Sequence, residues 1–182
     1  MSSERATERT TNMAGMVEVI DEGTVARLID EALRFAASKV GRLKTEDPQA
    51  VLADPCAQGY CKYGLAKGVG EFLGRTDATV KEVHMVEMEY GCNPDQVSEG
   101  MEPLHSCLTL VVRADRKTAA LSSLILSLDQ ALVQKLRDLP GFESMSSILD
   151  AHIVDEQEVL ERRGFGALLT SLYAHRLKVW GG

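Results

Sequence analysis

Residues 104–141, LHSCLTLVVRADRKTAALSSLILSLDQALVQKLRDLPG, carry two hydrophobic periods in succession. In the first part Leu104, Leu108, Leu110 and Val112 share one face, with His105, Cys107, Thr109 and Arg113 on the other, which is the two-residue repeat of a strand. From about residue 117 the repeat lengthens. Leu121, Leu124, Ile125, Leu128, Leu132, Leu136 and Leu139 return every three or four positions, so they line one face of a helix, and Pro140-Gly141 ends it. This helix should be the main core helix, and residues 148–155 fit a further strand after it.

Towards the N-terminus, residues 79–90 read as a second strand-like segment. Val83 and Met85 point one way and Val86, Met88 and Tyr90 the other, which predicts a bulge or a strand covered on both sides. Residues 24–40 place Val25, Leu28, Ile29, Ala32, Leu33, Ala36 and Val40 on one helical stripe. Asp54 and Pro55 supply an N-cap and first-turn proline for another helix, running to about residue 73. That helix holds Gly59, Gly64, Gly68 and Gly70, each costing up to about 1 kcal/mol relative to alanine. The offset is a groove: Cys61, Gly64, Leu65, Gly68, Val69 and Phe72 form one stripe that can receive Ala32 and Ala36 of the first helix. Gly64 and Gly68 are also where a flat ligand would lie.

Residues 156–180 read as helical, interrupted at Gly164-Phe165-Gly166. Residues 16–20 could add a strand. The order predicts an α+β two-layer sandwich, ferredoxin-like in arrangement, with added N-terminal and C-terminal helices. One domain over residues 15–182 follows a polar, aperiodic tail at residues 1–14.

The chain has 182 residues and 45% hydrophobic content, enough to close one core. Its 27 acidic against 20 basic side chains give a charge of −7, which makes a nucleic-acid partner unexpected. The N-terminus has no signal-peptide core and no apolar run approaches the roughly 20 residues of a membrane span, so the expectation is a cytoplasmic protein without a membrane partner. The four cysteines, Cys56, Cys61, Cys92 and Cys107, are then reduced thiols, and none forms a Cys-x-x-Cys pair.

Two places could carry chemistry. Cys56 sits in the first turn after the Asp54 cap, where free amides and the helix dipole favour a thiolate, and its face is shared with Tyr60, Tyr63 and Lys67. Its bland alternative is an ordinary cysteine beside two tyrosines. The second place is the hairpin's outer face: if Tyr90 pairs with Leu104, then Glu89 faces His105 and Glu87 faces Cys107, beside Cys92. Imidazole, thiolate and carboxylate are ligands for a divalent metal such as zinc or iron, although a plain Glu–His pair explains the same residues without one. His84 beside Glu82, His152 alternating with Asp150, and His175 on the terminal helix read as hydrogen-bonded or exposed histidines rather than ligands. The loop at residues 91–103, with Asp95, Glu99 and Glu102, suits binding or a mobile tip.

Two familiar patterns fail. The glycines from Gly68 to Gly74 end a helix instead of following a strand and opening one, so they make no dinucleotide fingerprint. Arg162-Arg163 and Lys117 form no basic run. The leading functional expectation is a non-enzymatic module that forms a homodimer or binds a protein partner through the C-terminal Leu168, Leu169, Leu172, Tyr173, Val179 and Trp180. The alternatives are a thiol- or metal-dependent enzyme at Cys56 or at the His105 and Cys107 patch, and a small-ligand protein using the glycine-bearing helix.

Overall fold

The periodicities above become elements in a computed structural model that describes residues 20–41, 47–86, 107–139 and 142–182. The expected tail at 1–14, the strand reading of 16–19, and Glu87, Glu89, Cys92, His105 and the 91–103 loop lie outside the described residues. Helix α1 spans Glu22–Val40, with Asp21 accepting from the Thr24 amide at its start and Gly41 closing it at φ 67°. Every apolar residue of its predicted stripe is buried except Val40, which packs partly buried on the core.

A short helix that the sequence reading did not assign, α2 (Pro48–Ala53), follows, capped by Asp47. Helix α3 (Pro55–Thr76) begins at the predicted Asp54 cap and runs three residues beyond the expected end. Its glycines divide between two neighbours. A methyl on Gly64 would meet Ala32 Cα at 3.0 Å, and one on Gly68 would meet Leu28 Cδ2 at 2.8 Å, so both lie against α1. Gly70 and Gly74 instead face Val179 and Trp180.

Strands β1 (Val80–Val86), β2 (Leu108–Ala114), β3 (Leu149–Val154) and β4 (Arg176–Trp180) form one mixed sheet in the order β3-β2-β1-β4. β1 is antiparallel to β2 and β4, and β2 is parallel to β3. The crossover between β2 and β3 is α4 (Ala119–Leu136), which begins at the Thr118 cap and buries the predicted stripe from Leu121 to Leu136, but ends there, so Leu139 lies beyond the helix and is only partly buried. Asp129 interrupts that stripe, and its Oδ1 accepts from the Ile148 and Leu149 amides at 2.8 Å each, fixing the start of β3.

Helices α1, α3 and α4 share a core with Val83, Met85, Leu108, Leu110, Val112 and Leu149 from one sheet face. The opposite face is partly covered by α5 (Glu156–Leu160) and α6 (Gly166–Thr170), around Val86, Val111, Val154 and Leu169. The chain is therefore α+β, with β1 covered on both sides and a register shift between Val80 and Glu82, as its irregular pattern predicted.

Three expectations change. The C-terminal helix is replaced by two short helices and a strand, because Arg176, Lys178 and Trp180 alternate with Leu177 and Val179, and β1 offers its free edge. The ferredoxin-like arrangement goes further than the described strands do, since α4 joins neighbours β2 and β3 in one βαβ unit. The hairpin register inferred from Tyr90 opposite Leu104 holds at Val80 and Ala114 but slips by one at Glu82 and Arg113. Val86, expected beside Leu108, consequently lies on the opposite face.

Candidate functional site

Alternation along β1 sends Glu82 and His84 to the face away from the long helices. Antiparallel pairing then sets Arg113 opposite Glu82 and Lys178 opposite His84, while Arg176 lies opposite Val86. These polar side chains, with Val159 of α5 and Leu169 of α6, line a cavity of about 390 Å³.

Glu82 is its hub. Its Oε2 lies 3.1 Å from His84 Nε2 and 3.4 Å from Arg113 Nη1, and its Oε1 lies 3.7 Å from Lys178 Nζ. Burial alone would raise the Glu82 pKa, but the hydrogen bond with His84 and the charges of His84, Arg113 and Lys178 hold it below the ordinary carboxylate value. Burial pushes His84 the other way, below an ordinary imidazole, despite the opposing pull of Glu82. His84 is only 8% exposed and its buried Nδ1 has no hydrogen-bond partner. Arg113 also reaches Glu156 at 2.5 Å, whereas Arg176 donates to the Leu168 carbonyl at 3.4 Å and forms no ion pair among the described residues.

The cover over this face is fixed by polar bonds at its start and by stacking at its middle. Asp155 and Glu158 form a reciprocal capping box for α5, Glu158 pairs with Lys117 at 2.6 Å, and the Phe165 ring stacks on His152. His152 Nε2 lies 2.9 Å from Asp150 Oδ1, yet at an angle that makes no hydrogen bond. The sequence alone sets each histidine two residues from an acidic neighbour and leaves open whether it is hydrogen-bonded or exposed. The cluster is not visible at that level because a helical reading of residues 156–180 keeps Arg176 and Lys178 away from β1, whereas they lie on strand β4.

Of the sequence-predicted site residues, the described part of the structure contains Cys56, Gly64, Gly68 and Cys107. Cys56 is exposed in the first turn of α3, where its amide and that of Ala57 bind Asp54 Oδ1 at 3.0 and 3.1 Å. Tyr60 and Tyr63 pack their rings on Phe35 of α1. Cys61 is buried, and that burial pushes its thiol up to about 11. Gly64 and Gly68 serve the contact with α1. Of the four residues considered for a metal, Cys107 is exposed just before β2, with Sγ 3.9 Å from the Ser147 carbonyl, and Glu87, Glu89 and His105 lie outside the described residues. Among the described residues no cluster of three or more His, Cys, Asp or Glu side chains could hold a metal ion.

A second surface adjoins the cavity along the chain. Leu169 and Arg176 both line the cavity, and the loop between them carries Leu172 and Tyr173, which are 95% and 92% exposed. No described helix is long and apolar enough to cross a membrane. The chain matches no protein-family model, no curated protein and no solved structure.

Proposed function

We propose that the chain is a cytoplasmic, non-enzymatic module that self-associates through the apolar loop between α6 and β4, with no nucleic-acid or membrane partner. The observation supporting this is the consecutive pair Leu172 and Tyr173, each more than nine-tenths exposed, in a loop leading to the half-exposed Leu177. Single exposed apolar side chains are ordinary, whereas adjacent ones on one loop favour a contact that removes them from water. Tyrosine suits such a contact because it offers a large apolar ring and a polar tip at low entropic cost.

Association by strand pairing is the weaker route. β4 is a sheet edge, but it carries Arg176 and Lys178, and two antiparallel copies would set these cations close together. A two-fold contact between loops keeps them apart, each copy using the same patch. Sedimentation velocity over a concentration series should show a dimer for the wild type and a monomer for a Leu172→Asp, Tyr173→Ser variant of unchanged melting temperature. A wild type that stays monomeric throughout, or a variant that still dimerises, would refute the proposal.

A further inference from the structure

Strand β4 is an edge of the sheet. Among the described residues it pairs with β1 alone, so the amides and carbonyls that alternate along its other side are open to a further strand. Its apolar side chain shows the same vacancy in the layer. Leu177 stands opposite Met85 on the face covered by the long helices, yet Met85 is 4% exposed and Leu177 46%, so the apolar layer stops short of covering it.

The outer face of the same strand is cationic. Arg176 and Lys178 stand at the rim of the sheet and, with Arg113, outnumber Glu82 and Glu156, the carboxylates in ion-pair contact with this set. These cations decide which strand can pair. A second β4 would bring like charges together, whereas a strand bearing carboxylates would neutralise them. The opposite edge, β3, has the reverse preference: Asp150 stands there two residues from His152, and Phe165 already stacks on that histidine. A nucleic acid could meet the cations, but it has no strand backbone to pair with β4, and the chain as a whole carries a charge of −7.

We propose that the free edge of β4 binds an extended segment of a partner protein in which acidic and apolar residues alternate. Backbone hydrogen bonds add the segment to the sheet, its carboxylates lie beside Arg176 and Lys178, and its apolar side chains cover Leu177. The contact uses β4 itself and not the loop before it, so it stands apart from self-association through Leu172 and Tyr173.

The test is titration of the full chain with the blocked peptide acetyl-Thr-Val-Glu-Val-Glu-Val-Thr-amide, followed by calorimetry and by amide hydrogen exchange. Saturable one-to-one binding is expected, with exchange slowed in residues 176–180 and unchanged in residues 149–154. The peptide with lysine in place of glutamate should bind at least about tenfold more weakly, and an Arg176→Gln, Lys178→Gln chain should lose affinity for the glutamate peptide on the same scale. Backbone methylation separates strand pairing from charge attraction, because successive amides of a strand point to opposite sides. Methylating one alternate set of peptide amides should abolish binding, and methylating the other set should leave it intact. Those peptides are titrated into the wild-type chain, so the result does not depend on the folding of a variant. The site is overturned by absent saturation, by equal affinity for the glutamate and lysine peptides, by two methylated peptides that behave alike, or by protection that falls on β3.

Discussion

Burying Asp129 on the leucine face of α4 is tolerable because its carboxylate does the work of a strand cap. Two backbone amides at the entry to β3 converge on its Oδ1, so the charge is solvated by protein where water is excluded. Asp129→Ala should cost about 3 kcal/mol, since it removes a charged acceptor and strands the Ile148 and Leu149 amides. Asp129→Asn, which keeps an oxygen in place, should cost only about 1 kcal/mol. Urea unfolding of both variants checks the ordering, and equal losses would show that packing rather than acceptance is what the residue provides. Gln58 is a lesser case of the same problem. Its Nε2 donates to the Leu52 carbonyl across the α2–α3 junction, but its Oε1 is buried without a partner.

At the scale of elements, what the sequence made legible was periodicity over long runs. The stripes of α1 and α4 rest on many residues repeating one spacing, so no single neighbour could overrule them, and the Asp54 cap with Pro55 marks the start of α3 as read. β4 was not legible in that way, because five residues alternating in charge look equally well like one turn and a half of helix. Its strand identity comes from outside, from the free edge of β1 and from the space above Gly74. The candidate cluster was lost with it: Glu82 and His84 are near neighbours in sequence, but Arg176 and Lys178 join them only once β4 lies beside β1. The hairpin register failed for a related reason, since the extra residue near Lys81 has no signature strong enough to read before pairing is known. Gly74 tests the docking of β4. Replacing it with alanine should gain about 1 kcal/mol of helix propensity, yet the new methyl would lie 2.1 Å from the Trp180 ring. Overpacking of that kind costs about 1–3 kcal/mol, so Gly74→Ala should be net destabilising. Amide exchange should accelerate in residues 176–180 first, and a variant more stable than wild type would show that β4 does not lean on α3.

For the whole molecule, acid should act through the outer-face cluster in two overlapping steps of one sign. His84 titrates in the folded chain below its ordinary value of 6.5 because it is buried, so as pH falls the unfolded chain takes up the proton first. The stability it confers is complete above about pH 6.5 and drains as pH drops through the folded value. Glu82 titrates in the folded chain below its ordinary 4.5, so its contribution is complete above that pH and is lost as pH falls through its own depressed value. Protonating either group also leaves Arg113, Arg176 and Lys178 facing more uncompensated positive charge across the same cavity. Melting temperature should therefore decline between about pH 7 and 5, and His84→Gln should flatten that part of the profile. Below about pH 4.5 the decline should persist in His84→Gln and weaken in Glu82→Gln. Calorimetric scans of the three chains across this range decide the matter. Parallel profiles would mean that the acid response arises elsewhere, whereas a loss confined to the His84 window would tie the molecule's pH tolerance to the same buried ring that faces the cavity.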